Sequence, residues 1–107
     1  MTELKVRLVK KLEAIEGLTH QPWPDREDGF STLHLDRKEI GHFHQFNELD
    51  LKLGKRLIRQ EGLIHNPDSE RHPKRAQGSA YIELPFHDDD DVEEIVRLVG
   101  LLVADSQ

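Results

Sequence analysis

The chain contains no cysteine, and only one tryptophan, one tyrosine and one methionine among its 107 residues. Without thiols it can form no disulfide, no thiolate nucleophile and no Cys-ligated zinc or iron–sulfur centre. A cysteine-free composition suits a reducing compartment, and a cytoplasmic location is the expectation. Long apolar runs are missing too. Residues 1–11 alternate charged and apolar side chains, unlike a secretory leader, and no stretch reaches the length that spans a bilayer, so no membrane association is expected. The phosphate-binding Walker loop, Gly-x-Gly-x-x-Gly, Gly-x-Ser-x-Gly and His-Glu-x-x-His are all absent. Their absence excludes the commonest nucleotide-binding and hydrolase machinery.

Basic charge is in short supply. Fifteen Lys and Arg face twenty-one Asp and Glu, giving a formal net charge of −6. Replacement of counterions around phosphates calls for a basic surface, so nucleic acid is disfavoured as a partner. Two local basic patches, Lys52/Lys55/Arg56/Arg59 and Arg71/Lys74/Arg75, keep a nucleic-acid-binding module as a secondary alternative. Interleaved charges of this kind otherwise form a solvated surface.

The length fits one domain, residues 1–107, large enough to bury its own core. Residues 2–16 carry Leu4, Leu8, Leu12 and Ile15 on one helical face with Val9 beside them; Thr2 reads as the N-cap and Gly17 as the stop. Residues 17–29 read as a loop, with Trp23 between Pro22 and Pro24 expected to tuck against the core. Two strands follow over residues 30–46, joined through the charged turn Asp36–Glu39. In residues 48–53, Leu49, Leu51 and Leu53 alternate with Glu48, Asp50 and Lys52, the clearest strand signal in the chain. A short helix carries Leu57 and Ile58 and closes at Gly62. Residues 65–78 form a polar loop punctuated by His65-Asn66-Pro67 and His72-Pro73. A strand over residues 79–84 precedes a helix over 88–104 with Val92, Ile95, Val96, Val99, Leu102 and Val103 inward. Its four leading aspartates suit a helix N-terminus, while a calcium loop would need glycine and spaced ligands. The expected fold is α+β: about four antiparallel strands with helices packed on one face, in the order α-β-β-β-α-β-α.

Helices on one face leave the other face polar, and the histidines concentrate there. Of seven in the chain, His34, His42 and His44 fall in the first hairpin, and His42 and His44, two apart on a strand, point the same way. A three-residue turn at Arg37–Glu39 sets His34 opposite His42 and Thr32 opposite His44. A loop at residues 45–47 sets Asp50 opposite His42 and Glu48 opposite His44. This register gathers Leu33, Leu35, Phe43, Leu49, Leu51, Ile82 and Leu84 on one face, and Thr32, His34, His42, His44, Glu48, Asp50, Tyr81 and Glu83 on the other. The competing register, with two-residue turns, puts His42 and His44 beside Leu49, Leu51 and Leu53 as core histidines.

The polar face supports three readings. As a binding surface it offers His34, His42, His44, Asp50, Tyr81 and Glu83 to a small-molecule or protein ligand, or to a second copy in a homodimer. As a metal site, His42 and His44 with His34 or Asp50 provide imidazole and carboxylate donors for a divalent ion, leaving a position open for water or substrate. As an acid–base enzyme it uses a His–carboxylate pair such as His42 with Asp50. No cofactor beyond such a metal is implied.

The segments Glu39-Ile40-Gly41-His42-Phe43-His44 and Leu49-Asp50-Leu51-Lys52-Leu53, then His65-Asn66-Pro67 and a closing strand, acidic turn and helix over residues 79–103, resemble a small bacterial family labelled "luciferase domain". The resemblance covers about residues 28–104 and implies a fold rather than an activity. It supplies no light-emitting chemistry, and nothing in these residues suggests flavin or luciferin binding. The position of Asp50 is often histidine in that family. The order of elements is also similar to the MmcQ/YjbR-like fold, for which a DNA-binding role has been suggested; fold analogy does not carry function across.

Overall fold

The computed structural model describes residues 3–23, 25, 29–44, 47–63 and 79–106. Among these residues three helices, α1 (Glu3–Glu13), α2 (Lys55–Gln60) and α3 (Asp89–Asp105), accompany five strands: β1 (Leu18–Pro22), β2 (Ser31–Leu35), β3 (Lys38–His44), β4 (Glu48–Leu51) and β5 (Ile82–Pro85). Each strand pairs antiparallel with its neighbour in sequence, so the sheet is a meander in the order β1-β2-β3-β4-β5. The class is α+β, as the hydrophobic patterning indicates.

The strand that patterning misses is β1. Residues 18–22 read as loop because only Leu18 is buried and the segment ends at Pro22. Its strand character comes from the ladder it forms with β2, Leu18 opposite Leu35 through Pro22 opposite Ser31, and an edge strand needs no apolar alternation to pair.

Leu33, Phe43, Leu49 and Leu51 project from one sheet face and are fully buried with Leu8 and Leu12 of α1 and Val92, Leu98 and Val99 of α3. Each such side chain contributes roughly 1.5–3 kcal/mol of transfer free energy, which is what holds the helices on that face. Leu98 joins the buried stripe of α3, whereas Val96 and Leu102 are half-buried. Asp88 caps α3, its Oδ1 accepting the Asp91 N–H at 2.9 Å, and Asp91 Oδ2 in turn accepts the His87 N–H at 2.9 Å. The aspartate run thus caps the helix through Asp88, ties the preceding residue to Asp91 and places further acid in the first turn, where it complements the helix dipole. The expected N-cap Thr2 and the loop at 65–78, with its histidines and basic patch, lie outside the described residues.

The first hairpin differs from the expected one. Its turn is the two residues Asp36 and Arg37, at φ 50° and 79°, the mirror-image turn whose twist matches that of the flanking strands. Next to the turn, His34 pairs with Glu39; beyond it the register shifts, and Leu33 pairs with Gly41 and Thr32 with His42. Ile40 is the extra residue of a β-bulge. Without it, the two-residue turn would set Leu33 against Ile40 and exchange the faces of β3; the bulge absorbs the slip. The pairing that results is two residues from the expected one, a shift that leaves the two faces as expected. The second hairpin has the expected register: His42 lies opposite Asp50 and His44 opposite Glu48.

Candidate functional site

Across the middle of the sheet, Thr32, His42, Asp50 and Glu83 occupy successive paired positions on β2, β3, β4 and β5. His44 and Glu48 form the neighbouring cross-strand pair. Side chains two apart on a strand share a face, so these residues lie together on the side away from the helices. Gly41 lets the strands approach: a Cβ there would stand 2.8 Å from the Asp50 carbonyl oxygen and 3.3 Å from Leu51 Cα.

The row is not simply solvated. Asp50 is 1% exposed and Thr32 2%, as deep as the core leucines on the opposite face. Part of the cover is aromatic. Phe30 sits 5.7 Å from the His42 ring and 6.3 Å from that of His44, and Trp23 meets Phe30 edge-on at 6.3 Å. The Trp23 indole N–H donates to Thr32 Oγ1 at 3.3 Å. Trp23 therefore belongs to the polar-face side and remains half exposed, rather than tucked into the core as its flanking prolines suggest.

At the centre, His42 Nε2 lies 3.5 Å from Asp50 Oδ2, and His42 Nδ1 lies 3.8 Å from Glu39 Oε2. The His42 and His44 rings stand perpendicular with centroids 4.6 Å apart. One donor atom from each of His42, His44 and Asp50 falls within 4.8 Å of the others. Two ligands at about 2.0–2.1 Å from a tetrahedral zinc ion are about 3.4 Å apart, so the His42–Asp50 edge already has the length a metal needs.

The remaining candidates are placed differently. His34 pairs with Glu39 and Thr19 and lines an open cavity of about 510 Å³ with Gly17, Leu18, Thr19, Asp36 and Arg37, rather than joining His42 and His44. Its expected position opposite His42 is taken by Thr32, because the turn has two residues instead of three. Glu83 is opposite Asp50 and half-buried. Tyr81 precedes β5, half-buried, its backbone N–H donating to Ser79 Oγ at 3.1 Å. In the described basic patch, Arg56 is paired with Asp105 and with Gln60.

Sequence reading also missed a polar group inside the helix-covered half. Lys5, 2% exposed, donates to the Gly29 carbonyl oxygen at 2.6 Å and stands 4.8 Å from the centroid of Phe43. The His20 ring meets Phe43 edge-on, and its Nε2 is 2.8 Å from Ser31 Oγ. Burial pushes the His20 imidazole below its ordinary pKa, and the Lys5 ammonium adds to the effect against an opposing pull from Glu13. A signal was available for Lys5, which stands at helical spacing from Leu8 and Leu12 on the inward stripe.

Among the described residues no helix is long and apolar enough to cross a membrane. No curated protein and no solved structure gives a significant match to the chain. Residues 37–101, more than half of the 107, match the luciferase domain family, a span that includes His42, His44, Asp50 and Glu83. The chain belongs to the luciferase domain family.

Proposed function

We propose that this domain binds a divalent transition metal ion through His42, His44 and Asp50 and uses it to bind a small ligand on the polar sheet face. The observation that carries the reading is the convergence of two imidazoles and one carboxylate within 4.8 Å, with the carboxylate buried in the sheet. Exposed acidic clusters are common without a metal. A buried carboxylate set 3.5 Å from an imidazole nitrogen, with a second imidazole beside it, is a donor set that a cation stabilises. Two nitrogens and one oxygen suit zinc, nickel, cobalt or iron, and three protein ligands leave a position for water or for a donor atom of the ligand.

Metal-stripped protein titrated with zinc and with nickel tests this. One ion per chain is expected, with affinity reduced at least about tenfold in both His42→Ala and His44→Ala. Absence of uptake by the wild-type protein, or equal uptake by all three, would overturn the reading. Circular dichroism of each variant separates loss of a ligand from loss of the fold.

A further inference from the structure

On a regular strand Glu39 and His42, three residues apart, point to opposite faces. Here they meet, because the extra residue of the bulge intervenes. Ile40 and Gly41 both turn toward the helices, where Ile40 is buried, and Glu39 and His42 both turn away. Glu39 pairs across the hairpin with His34, and its carboxylate reaches to 3.8 Å from His42 Nδ1. That is ion-pair range, about 1 Å beyond a hydrogen bond and within the reach of a small side-chain adjustment. The opposite ring nitrogen, Nε2, is the one beside Asp50.

We infer that Glu39 is a positioning residue: it accepts the Nδ1 proton of His42 when an ion occupies Nε2, and so fixes Nε2, the nitrogen beside Asp50, as the ligating atom. This rests on the metal-binding reading and deepens it. A ligating histidine must present a neutral nitrogen to the ion, and which nitrogen is free is set by the partner of the other one. A carboxylate acceptor at Nδ1 selects the Nδ1–H tautomer, orients the ring and makes Nε2 the stronger donor. The bulge thereby has two consequences. It restores the register behind a two-residue turn, and it brings to the polar face a carboxylate that a regular strand would aim at the helices. Bulges commonly re-aim a side chain beside a functional site in this way. Glu39 is half exposed and outside the core, so its replacement leaves the packing intact.

Glu39→Ala and Glu39→Gln decide the matter through two measurements, the His42 Nδ1–H in zinc-loaded protein by long-range ¹H–¹⁵N correlation and zinc affinity by titration. The wild-type protein is expected to show His42 bound through Nε2, with its Nδ1 proton shifted downfield by the carboxylate. Glu39→Ala is expected to lose that downfield shift and to weaken zinc binding about 10–100-fold. Glu39→Gln, whose amide oxygen still accepts from Nδ1, is expected to recover the hydrogen bond and most of the affinity. An unchanged Nδ1 proton and an affinity within about twofold in Glu39→Ala would overturn the inference. So would a loss of affinity that leaves the Nδ1 proton unchanged, since that is a loss of charge and not of positioning. Zinc bound to the wild-type protein through Nδ1 of His42 would overturn the inference alone; no zinc uptake by the wild-type protein would overturn the metal reading and the inference with it.

Discussion

A carboxylate enclosed in the middle of a sheet costs stability unless something nearby repays its lost hydration. Asp50, on a strand flanked on both sides, is in that position, and its cross-strand neighbour His42 offers an imidazole 3.5 Å away. If Asp50 is present for its ligand chemistry, the isosteric amide should fold and fail to hold metal. Asp50→Asn is expected to change unfolding free energy by less than about 1 kcal/mol in urea titrations while weakening zinc binding more than tenfold. Destabilisation by about 3 kcal/mol or more would make Asp50 a structural residue instead. His20 on the other face makes a different statement. Burial, with Lys5 beside it, lowers its folded-state pKa, so the folded protein holds its proton less firmly than the unfolded chain does. The stability that goes with this is fully present above the unfolded value of about 6.5. It is lost as pH falls from there toward the lowered folded value. Thermal melts between about pH 7.5 and 5 should show a steeper acid loss for the wild-type protein than for His20→Gln; parallel curves would contradict the assignment.

At the scale of elements, the hairpin from β2 to β3 and the close pairing of β3 with β4 put the site together. Arg37 has φ 79° without being glycine, a conformation that costs an L-residue about 1 kcal/mol. Arg37→Gly is expected to stabilise the protein by about 0.5–1 kcal/mol in urea titrations, and a destabilisation would mean that the arginine side chain carries more than its turn. Gly41 makes the opposite demand, because the space beside it is filled by the backbone of β4. Gly41→Val, favourable by strand propensity alone, is expected to cost about 2–3 kcal/mol and to weaken metal binding by separating His42 from Asp50; unfolding and titration measure both. These two elements also show what a sequence makes legible. Period-two alternation of Leu49 and Leu51 with Glu48 and Asp50 identifies the faces, and with them the grouping of His42, His44 and Asp50, because one buried face tolerates no odd slip. It does not identify an even slip, so His34 reads as a neighbour of His42 when the two-residue turn puts Thr32 there. Nor does alternation reveal the bulge at Ile40 or the edge strand β1, since both are defined by backbone pairing rather than by apolar spacing. Glu39 was invisible as a site residue for the same reason.

For the molecule as a whole, the layered arrangement divides the labour. Three helices and one sheet face supply the hydrophobic cluster, which leaves the other face free to bury polar groups at a cost a ligand can offset. Trp23 joins this face through Thr32 and Phe30, and it is the only tryptophan in the chain. Intrinsic fluorescence should therefore report on the site: paramagnetic nickel or cobalt is expected to quench Trp23 with the same midpoint as metal uptake, and quenching should be lost in His44→Ala. An unaltered emission at saturating metal would place the ion elsewhere. Membership of the luciferase domain family accounts for the strand–strand–helix–strand–helix span from residue 37 to 101 but supplies no reaction, so the chemistry rests on the donor set alone. The coordination shell of the bound ion is the most direct test of that donor set. X-ray absorption of zinc-loaded protein is expected to show a four-coordinate ion with nitrogen and oxygen neighbours at about 2.0–2.1 Å and the outer-shell scattering of two imidazoles. A shell of oxygens alone, or one without imidazole, would contradict the account.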